Sequence, residues 1–318
     1  MGCAREHCFP HETGCDAGNP DIATCPNYEA AKKQGERVEA EPTDTMRMPW
    51  TGRPMGGKDI GFLAARSRPT IVSVIGPHDA GKTTLLAAIF LAVFEAGEAS
   101  EGDRFDGSYS MSGWNDVSGF LTLDADGISH FPPHTPDSDS RIPGLLHLAF
   151  SNSRSRNNLL FADAPGEWFT RWSVDPGAEG AKGAAWVTSN AGRNLLVADS
   201  AALAGPTRHS AREKFDRLVG RLADVTHATN SALVWTKSDI AVPDGMTNQI
   251  ETSFRRHFGD APIFRTQIPI EDGEIVQARP KALLEVLEWT LQAPASQSAR
   301  FDRAHDSEDP FLAYGAMR

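Results

Sequence analysis

The fold of this chain is decided by the stretch TIVSVIGPHDAGKT, residues 70–83. Its first six residues are mostly β-branched, which predicts a buried strand. Residues 76–83 match the pattern G-x-x-x-x-G-K-[ST] at every fixed position. Residues 84–95 are largely apolar and contain no Gly or Pro, which predicts a helix. A strand, a glycine loop and a helix in this order surround an anion with backbone N–H groups, so the stretch predicts a phosphate-binding loop.

Individual residues of this loop have expected roles. Lys82 would reach the β- and γ-phosphates of a nucleotide, and the Thr83 hydroxyl would hold Mg²⁺. The residues expected to contact the nucleotide here are Gly76, Asp79, Ala80, Gly81, Lys82, Thr83 and Thr84. The alternative is a glycine-rich turn that binds nothing, which the flanking strand and helix disfavour.

The composition limits the classes of function. The chain has 318 residues, of which 40% are hydrophobic, and a formal net charge of −11. This length suits one large domain with appendages, or two domains. The acidic balance disfavours a nucleic-acid binder held by a general basic field. We find neither an apolar run that would span a membrane nor a secretory signal, so we expect a cytoplasmic protein.

All four cysteines lie within the first 25 residues. Such a cluster in a reducing compartment favours a metal site, with Zn²⁺ held by four thiolates and His7 or His11 as alternative ligands. The spacing differs from the paired C-x2-C of a zinc ribbon, so a redox or disulfide role and an unstructured leader remain alternatives. The candidate zinc ligands are Cys3, Cys8, Cys15 and Cys25.

Four segments follow from the composition along the chain. Residues 1–27 form the Cys/His segment, residues 28–66 a polar linker, residues 67–293 the main domain and residues 294–318 a polar tail. In the main domain the pattern predicts six strands, at residues 70–75, 145–150, 158–163, 194–198, 232–235 and 263–264.

The order of strands and helices predicts an α/β fold with a doubly wound, mostly parallel sheet of about six strands. A short polar turn separates residues 145–150 from residues 158–163, so this pair predicts one antiparallel edge. The stretches 97–142 and 164–191 are predicted to be irregular. The ligand should lie at the C-terminal ends of the strands, where the next two motifs fall.

Asp163-Ala164-Pro165-Gly166 closes the third predicted strand. The Asp163 carboxylate could hold a Mg²⁺-bound water, and the Gly166 N–H could point at a γ-phosphate because no side chain blocks the approach. A simple strand-ending turn is the alternative. The position about 80 residues after a phosphate loop favours the functional interpretation.

Thr236-Lys237-Ser238-Asp239 follows the apolar strand 232–235. The Asp239 carboxylate could accept two hydrogen bonds from the N1–H and N2–H₂ groups of guanine, which adenine cannot offer. The Lys237 stem would lie along the base and ribose. The alternative is a solvated Lys and Asp in a helix-capping turn.

These three motifs, in this order, resemble the translation-factor-related class of P-loop GTPases, to which Ras-like proteins belong. More narrowly, residues 107–114 and 160–169, with Thr135 ahead of residues 145–148, resemble the predicted bacterial "double-GTPase" family, known mainly from conflict-system gene neighbourhoods. The resemblance covers about residues 68–292. It implies GTP, GDP and Mg²⁺ as ligands, and protein effectors or a paralogous GTPase as partners, since only one such domain fits in this chain.

The sequence departs from the class in two places. Thr236 stands where Asn is commoner, and Arg265-Thr266-Gln267 stands where a purine-contacting S-A-K motif is expected. The expected Mg²⁺ ligand that no motif fixes is a threonine in the loop between the first helix and the second strand. We choose Thr135 to cap Mg²⁺, with Thr122 as runner-up, although the segment could be only a proline-rich surface loop.

Glu167 directly follows Gly166, where Ras-like GTPases carry a water-orienting Gln. A carboxylate beside a γ-phosphate is repelled, so we expect slow hydrolysis without a partner. The expected catalytic residues are Lys82, Thr135, Gly166 and Glu167, and the expected Mg²⁺ ligands are Thr83, Thr135 and Asp163.

The resemblance and the motifs together favour a Mg²⁺-dependent GTP-binding and GTP-hydrolysing switch, with a signalling or regulatory role in a bacterial conflict system. The alternative is a non-hydrolysing adaptor that recruits partners through the Cys segment and the switch loops. A P-loop ATPase or kinase is disfavoured by Asp239.

Overall fold

A computed structural model describes residues 53–64, 67–121, 144–153, 155–268, 270–271, 274–275 and 281–292. Predictions that concern the Cys/His segment, Thr122, Thr135 or the polar tail lie outside the described residues. Within the segment interpreted as a linker, residues 57–64 are helical, and Met55 forms an isolated antiparallel bridge with Leu145.

The strands alternate with helices over most of the described chain. The strands are β1 Thr70–Ile75, β2 Glu98–Ser100, β3 Asp103–Gly107, β4 Gly144–Ser151, β5 Arg156–Asp163, β6 Arg193–Asp199, β7 Ser231–Thr236 and β8 Ile263–Arg265, with the separate pair β9 Ile270–Glu271 and β10 Glu274–Ile275. The helices are α1 Gly57–Ala64, α2 Lys82–Ala96, α3 Met111–Ser118, α4 Gly166–Val174, α5 Lys182–Asn190, α6 Ser200–Ala204, α7 Arg208–Ala223, α8 Asp244–Phe258 and α9 Lys281–Leu291.

The main sheet has eight strands in the order β2-β3-β4-β5-β1-β6-β7-β8. In this order, the neighbouring strands β5, β1, β6, β7 and β8 are parallel. Strands β2, β3 and β4 run antiparallel to their neighbours. The predicted α/β class and antiparallel edge are confirmed, but the predicted count of six strands is wrong. The two missed strands lie at the sheet edge, where Ala99 and Phe105 are their only hydrophobic residues. Their polarity hides them from a search for apolar runs.

Helices cover both faces of the sheet, as a doubly wound fold requires. One hydrophobic cluster joins the sheet to α2, α3 and α9, and a second joins its other residues to α4, α7 and α8. Helices α3, α4 and α5 were not predicted, because they fall in stretches expected to be irregular. Trp168 and Trp172 of α4 are nevertheless buried in the second cluster. Among the described helices, none is both long and apolar enough to cross a membrane.

Candidate nucleotide-binding site

The phosphate loop runs from the end of β1 at Ile75 to the start of α2 at Lys82. Two of its residues have left-handed backbone, Asp79 with φ 60° and Gly81 with φ 78°. Gly76 packs closely, since a Cβ there would lie 3.2 Å from the Cβ of Val197 in β6 and 3.3 Å from that of Ala80, which is a tight contact. The sharp turns open the loop's concave side toward the N-terminus of α2, where backbone N–H groups favour an anion.

Lys82 lies across the phosphate loop. Its side chain is 8% exposed, and Nζ donates a hydrogen bond to the Pro77 carbonyl at 2.9 Å. Burial lowers the pKa of Lys82 to about 8, although the nearby Asp163, Glu167 and Asp79 carboxylates oppose the shift. An ammonium group that is held inside the loop, and that has lost its water, is well suited to pair with phosphate oxygens.

Thr83 and Asp163 meet at the edge of the loop. Thr83, in the first turn of α2, donates a hydrogen bond from Oγ1 to Asp163 Oδ1 at 3.0 Å. Asp163 ends β5, which lies beside β1 in the sheet. A hydroxyl and a carboxylate are oxygen donors of the kind that Mg²⁺ prefers, so this pair fits the proposed metal.

The start of α4 packs against the phosphate loop. A Cβ on Gly166 would lie 2.3 Å from the His78 nitrogen and 2.5 Å from the Pro77 carbonyl carbon, so only glycine fits. The next residue, Glu167, accepts a hydrogen bond at Oε1 from His78 Nδ1 at 2.7 Å. Its other oxygen, Oε2, is buried without a hydrogen-bond partner among the described residues.

The loop after β7 is tied to the phosphate loop from the other side. Buried Thr236 donates from Oγ1 to the Ala80 carbonyl at 2.9 Å. Lys237, which has φ 52°, donates from Nζ to the Asp79 carbonyl at 2.9 Å and to Asp199 Oδ2 at 3.0 Å. Thr236, which replaces the commoner Asn, therefore makes one of the two hydrogen bonds that join the Thr-Lys-Ser-Asp loop to the phosphate loop.

The residues after β8 border the same region. Ser238 donates its backbone N–H to the Thr266 carbonyl at 3.0 Å, and Thr266 in turn donates its N–H to the Trp235 carbonyl at 2.7 Å. Asp239 is exposed, and Gln267 lies with it in the wall of one cavity. The segment after β8 thus borders the cavity, although it carries no S-A-K motif.

A cavity of about 580 Å³ connects these parts. Its size is that of a small-molecule site. Of the predicted site residues, those that line it are Asp79, Ala80, Gly81, Lys82, Thr83, Thr84, Gly166, Glu167, Thr236, Lys237 and Asp239. Gly76 and Asp163 are not in the wall of this cavity, but Gly76 begins the phosphate loop and Asp163 bonds to Thr83 of the wall. Thr135 lies outside the described residues, as do the four cysteines. The residues that the structure describes contain no cluster of His, Cys, Asp and Glu that could hold a metal.

Two site residues were missed by sequence analysis, His78 and Asp199. Asp199 ends β6, is buried, and accepts hydrogen bonds from the Ala201 N–H and from Lys237. It pairs in register with Thr236 of the parallel strand β7. The signal that could have revealed it is an acidic residue at the end of an apolar strand that neighbours the Thr-Lys-Ser-Asp strand.

A doubly wound sheet with a phosphate loop after its central strand, and a Thr-Lys-x-Asp motif two strands away, defines a P-loop GTPase domain. The chain belongs to the Double-GTPase 2 family, whose model matches residues 70–290.

Among solved structures, the chain is similar to Roco2 RocCORdC of Methanosarcina barkeri, a structure bound to GDP. The two share 12% sequence identity with a TM-score of 0.37, and the match covers 71% of this chain and 50% of the other. The chain therefore spans half the length of that protein. No curated protein matches the sequence.

Proposed function

We propose that the chain binds GTP and hydrolyses it to GDP and phosphate in a Mg²⁺-dependent switch. The observation that carries this proposal is that Lys82 and Asp239 line one and the same cavity. Membership of the Double-GTPase 2 family supports it.

The phosphate end supplies positive charge and N–H groups. The loop N–H groups and the Lys82 ammonium would hold the β- and γ-phosphates. Thr83 and Asp163 would hold Mg²⁺, which neutralises charge on the phosphate oxygens when it is bound. At the other end, the exposed Asp239 carboxylate would accept the two guanine N–H groups, so the chain should prefer guanine to adenine.

Water is the proposed nucleophile. Its oxygen bonds to the γ-phosphorus, and the bond to the β,γ-bridging oxygen breaks with its electron pair left on GDP. The water proton ends on the released phosphate. Glu167 is placed to orient the water, but its negative charge near the γ-phosphate should keep the unassisted reaction slow.

The contact between α4 and the phosphate loop supports a switch. Gly166 lies directly against Pro77 and His78, so its N–H is close to the loop that would cradle the γ-phosphate. Loss of that phosphate would remove an interaction that holds the start of α4, and the helix could then change its position.

The decisive experiment compares nucleotides by calorimetry with Mg²⁺ present. GTP and GDP should bind, and ATP should bind at least about 100-fold more weakly because it leaves Asp239 unsatisfied. An Asp239→Asn variant should shift preference toward xanthosine nucleotides, whose C2 carbonyl can accept from the amide. Asp244→Asn, at the exposed start of α8, is the matched control. Equal affinity for ATP and GTP would refute the proposal.

A non-hydrolysing adaptor is the second candidate. It is favoured by a carboxylate, Glu167, standing where a neutral water-orienting Gln is expected, because its charge opposes that of the γ-phosphate. Phosphate release from GTP in a single-turnover assay separates the two. A regulatory role in a bacterial conflict system, with protein effectors or a paralogous GTPase in the cytoplasm, rests on the loop resemblance. It is tested by capturing partners from the cells of origin with and without GTP.

A zinc site at Cys3, Cys8, Cys15 and Cys25 is a further part of the proposal. It rests on the clustering of all four cysteines within 25 residues. Elemental analysis should find one zinc per chain, and should find none when all four are changed to Ser.

A further inference from the structure

His78 lies between the phosphate loop and the first turn of α4. Its ring has a carboxylate near each nitrogen, with Nδ1 2.7 Å from Glu167 Oε1 and Nε2 3.4 Å from Asp79 Oδ2. We propose that His78 is a positioning residue for GTP hydrolysis, which orients the Glu167 carboxylate toward the attacking water. This inference rests on the proposed function.

The backbone fixes the two residues close together. Because Gly166 leaves no room for a Cβ against the His78 nitrogen, α4 begins in direct contact with the loop. Glu167, the next residue, therefore begins its side chain beside the His78 ring. Both residues line the cavity next to Lys82.

The bond to His78 divides the roles of the two carboxylate oxygens. Oε1 is held by the ring, whereas Oε2 is buried and accepts no hydrogen bond from the described residues. Oε2 has no surface that a water could reach, so the attacking water would be accepted at Oε1. Oε1 has a second lone pair beside the one that accepts from His78, and both residues line the cavity that would hold the γ-phosphate.

The His78 ring also reduces the electrostatic repulsion between the Glu167 carboxylate and the γ-phosphate. An acid beside a γ-phosphate is repelled, and the fixed donor on Oε1 disperses part of its charge. It also prevents the side chain from rotating away. His78 thus allows a Glu to do what a neutral amide does elsewhere, as long as the bond is intact.

The test compares His78→Ala, His78→Asn, Glu167→Ala and the Ala double variant. GTP affinity and single-turnover phosphate release are both measured. His78→Ala should bind GTP within about threefold of wild type and release phosphate about 10- to 100-fold more slowly, the range for a misplaced catalytic group. Asn can place a donor near the position of Nδ1, so His78→Asn should recover most of the rate. His209→Ala, at an exposed site on α7, is the control and should leave both measurements unchanged.

The double variant separates positioning from a general effect on the loop. If His78 acts only through Glu167, the double variant should be no slower than Glu167→Ala. Losses that multiply, an Asn variant as slow as the Ala variant, or a His78→Ala rate equal to or above wild type would each overturn the inference. A wild type that binds GTP without releasing phosphate would overturn the inference together with the hydrolytic part of the proposed function, whereas a wild type that binds no GTP would refute the proposed function at the binding step.

Discussion

Asp199 holds the Lys237 side chain, and Lys237 reaches the phosphate loop through the Asp79 carbonyl. We expect Asp199→Asn to weaken guanine-nucleotide binding by about 10-fold. The amide oxygen would keep the Ala201 bond and leave the amide NH₂ facing the Lys237 ammonium, so a charge-assisted bond worth about 1.5–3 kcal/mol would be lost. The Asn oxygen can still accept from the Ala201 N–H, so folding should be preserved.

Dissociation rates of fluorescent GDP measure this effect. Asp224→Asn is the control, since its ion pair with Arg221 is on the surface and should contribute little. An unchanged dissociation rate in Asp199→Asn would show that Lys237 needs no partner.

Lys82 makes nucleotide binding depend on pH. Its pKa is about 8 in the nucleotide-free protein, lowered mainly by burial, and bound phosphate should raise it. Above about pH 8 the free protein therefore loses a proton that the complex keeps. Affinity for GDP should fall as pH rises through this range, by at most tenfold per pH unit. Calorimetry at pH 7, 8 and 9, in buffers of different ionisation enthalpy, should detect proton uptake on binding only at the higher values. A constant affinity from pH 7 to 9 would contradict this.

For individual residues, the sequence predicts those that belong to motifs. It misses residues whose roles depend on contacts in the folded protein. Lys82 and Asp239 have fixed spacings from other motif residues. His78 occupies a variable position of its motif. Asp199 belongs to no motif, and its one signal, an acidic residue at the end of an apolar strand, becomes informative only when the neighbouring strand is known. Their roles depend on which element packs beside them.

Among the elements, α4 depends on a glycine. Gly166→Ala would drive a Cβ into the Pro77–His78 backbone, which cannot move aside as a side chain could. We expect a loss of about 1–3 kcal/mol of stability and a larger loss of GTP hydrolysis, because the loop and helix must separate. Gly220→Ala in α7 is the matched control, since its Cβ would meet open space, and it should stabilise the protein by about 0.5–1 kcal/mol. Thermal unfolding and phosphate release are the measurements. A Gly166→Ala protein as stable and active as wild type would disprove the close contact.

The segment between β3 and α3 is held by His147 of β4. His147 accepts a hydrogen bond at Nδ1 from the Tyr109 N–H at 2.9 Å, its own N–H donates to Ser110 Oγ at 2.7 Å, and its carbonyl accepts from Trp114 Nε1 at 2.7 Å. Nε2 lies 2.9 Å from Asn158 Oδ1, which fits a neutral ring protonated at Nε2. Burial is the main cause of the lowered pKa of His147.

This pKa shift predicts a stability that falls in acid. Below the ordinary value of 6.5, the unfolded chain takes up a proton that the folded protein resists, so stability decreases as pH falls from about 6.5 toward the folded pKa. His147→Gln should be about 1–3 kcal/mol less stable at pH 7.5 and should lose less on acidification. Urea unfolding at pH 7.5 and 5.5 measures both, with exposed His209→Gln as control. Parallel pH profiles for wild type and His147→Gln would exclude His147 as the cause.

Whether an element could be predicted depended on how much of it is buried. Strands β6 and β7 are buried at every residue, so their apolar runs are visible in the sequence. Strand β3 alternates partly buried and exposed residues with one phenylalanine, and its pairing with β4 stabilises it. Helix α4 begins at the Pro-Gly pair, which resembles a turn, and its buried tryptophans were not recognised as a helix face.

For the whole molecule, the sheet order explains why distant motifs meet. Strands β5, β1, β6 and β7 are parallel neighbours, so their C-terminal ends lie along one edge. That edge brings together Asp163, the phosphate loop, Asp199 and Thr236. In open α/β sheets, ligands bind where strand connections change direction, and the sequence motifs were therefore expected at this edge of the sheet, whereas the polar edge strands carried no such signal.

Because binding at that edge joins several elements, nucleotide should stabilise the entire domain. At 100 times its dissociation constant, GDP with Mg²⁺ should add about 2.7 kcal/mol, which raises the unfolding temperature by roughly 5–10 °C. If Thr83 and Asp163 hold Mg²⁺ as proposed, removal of the ion with a chelator should reduce this gain. Asp163→Ala should then show a smaller Mg²⁺-dependent part of GDP binding, whereas the exposed Asp244→Ala should behave as wild type. Thermal unfolding with GDP, with ADP and without nucleotide measures the effect, and a stabilisation by ADP equal to that by GDP would argue against a guanine-specific site.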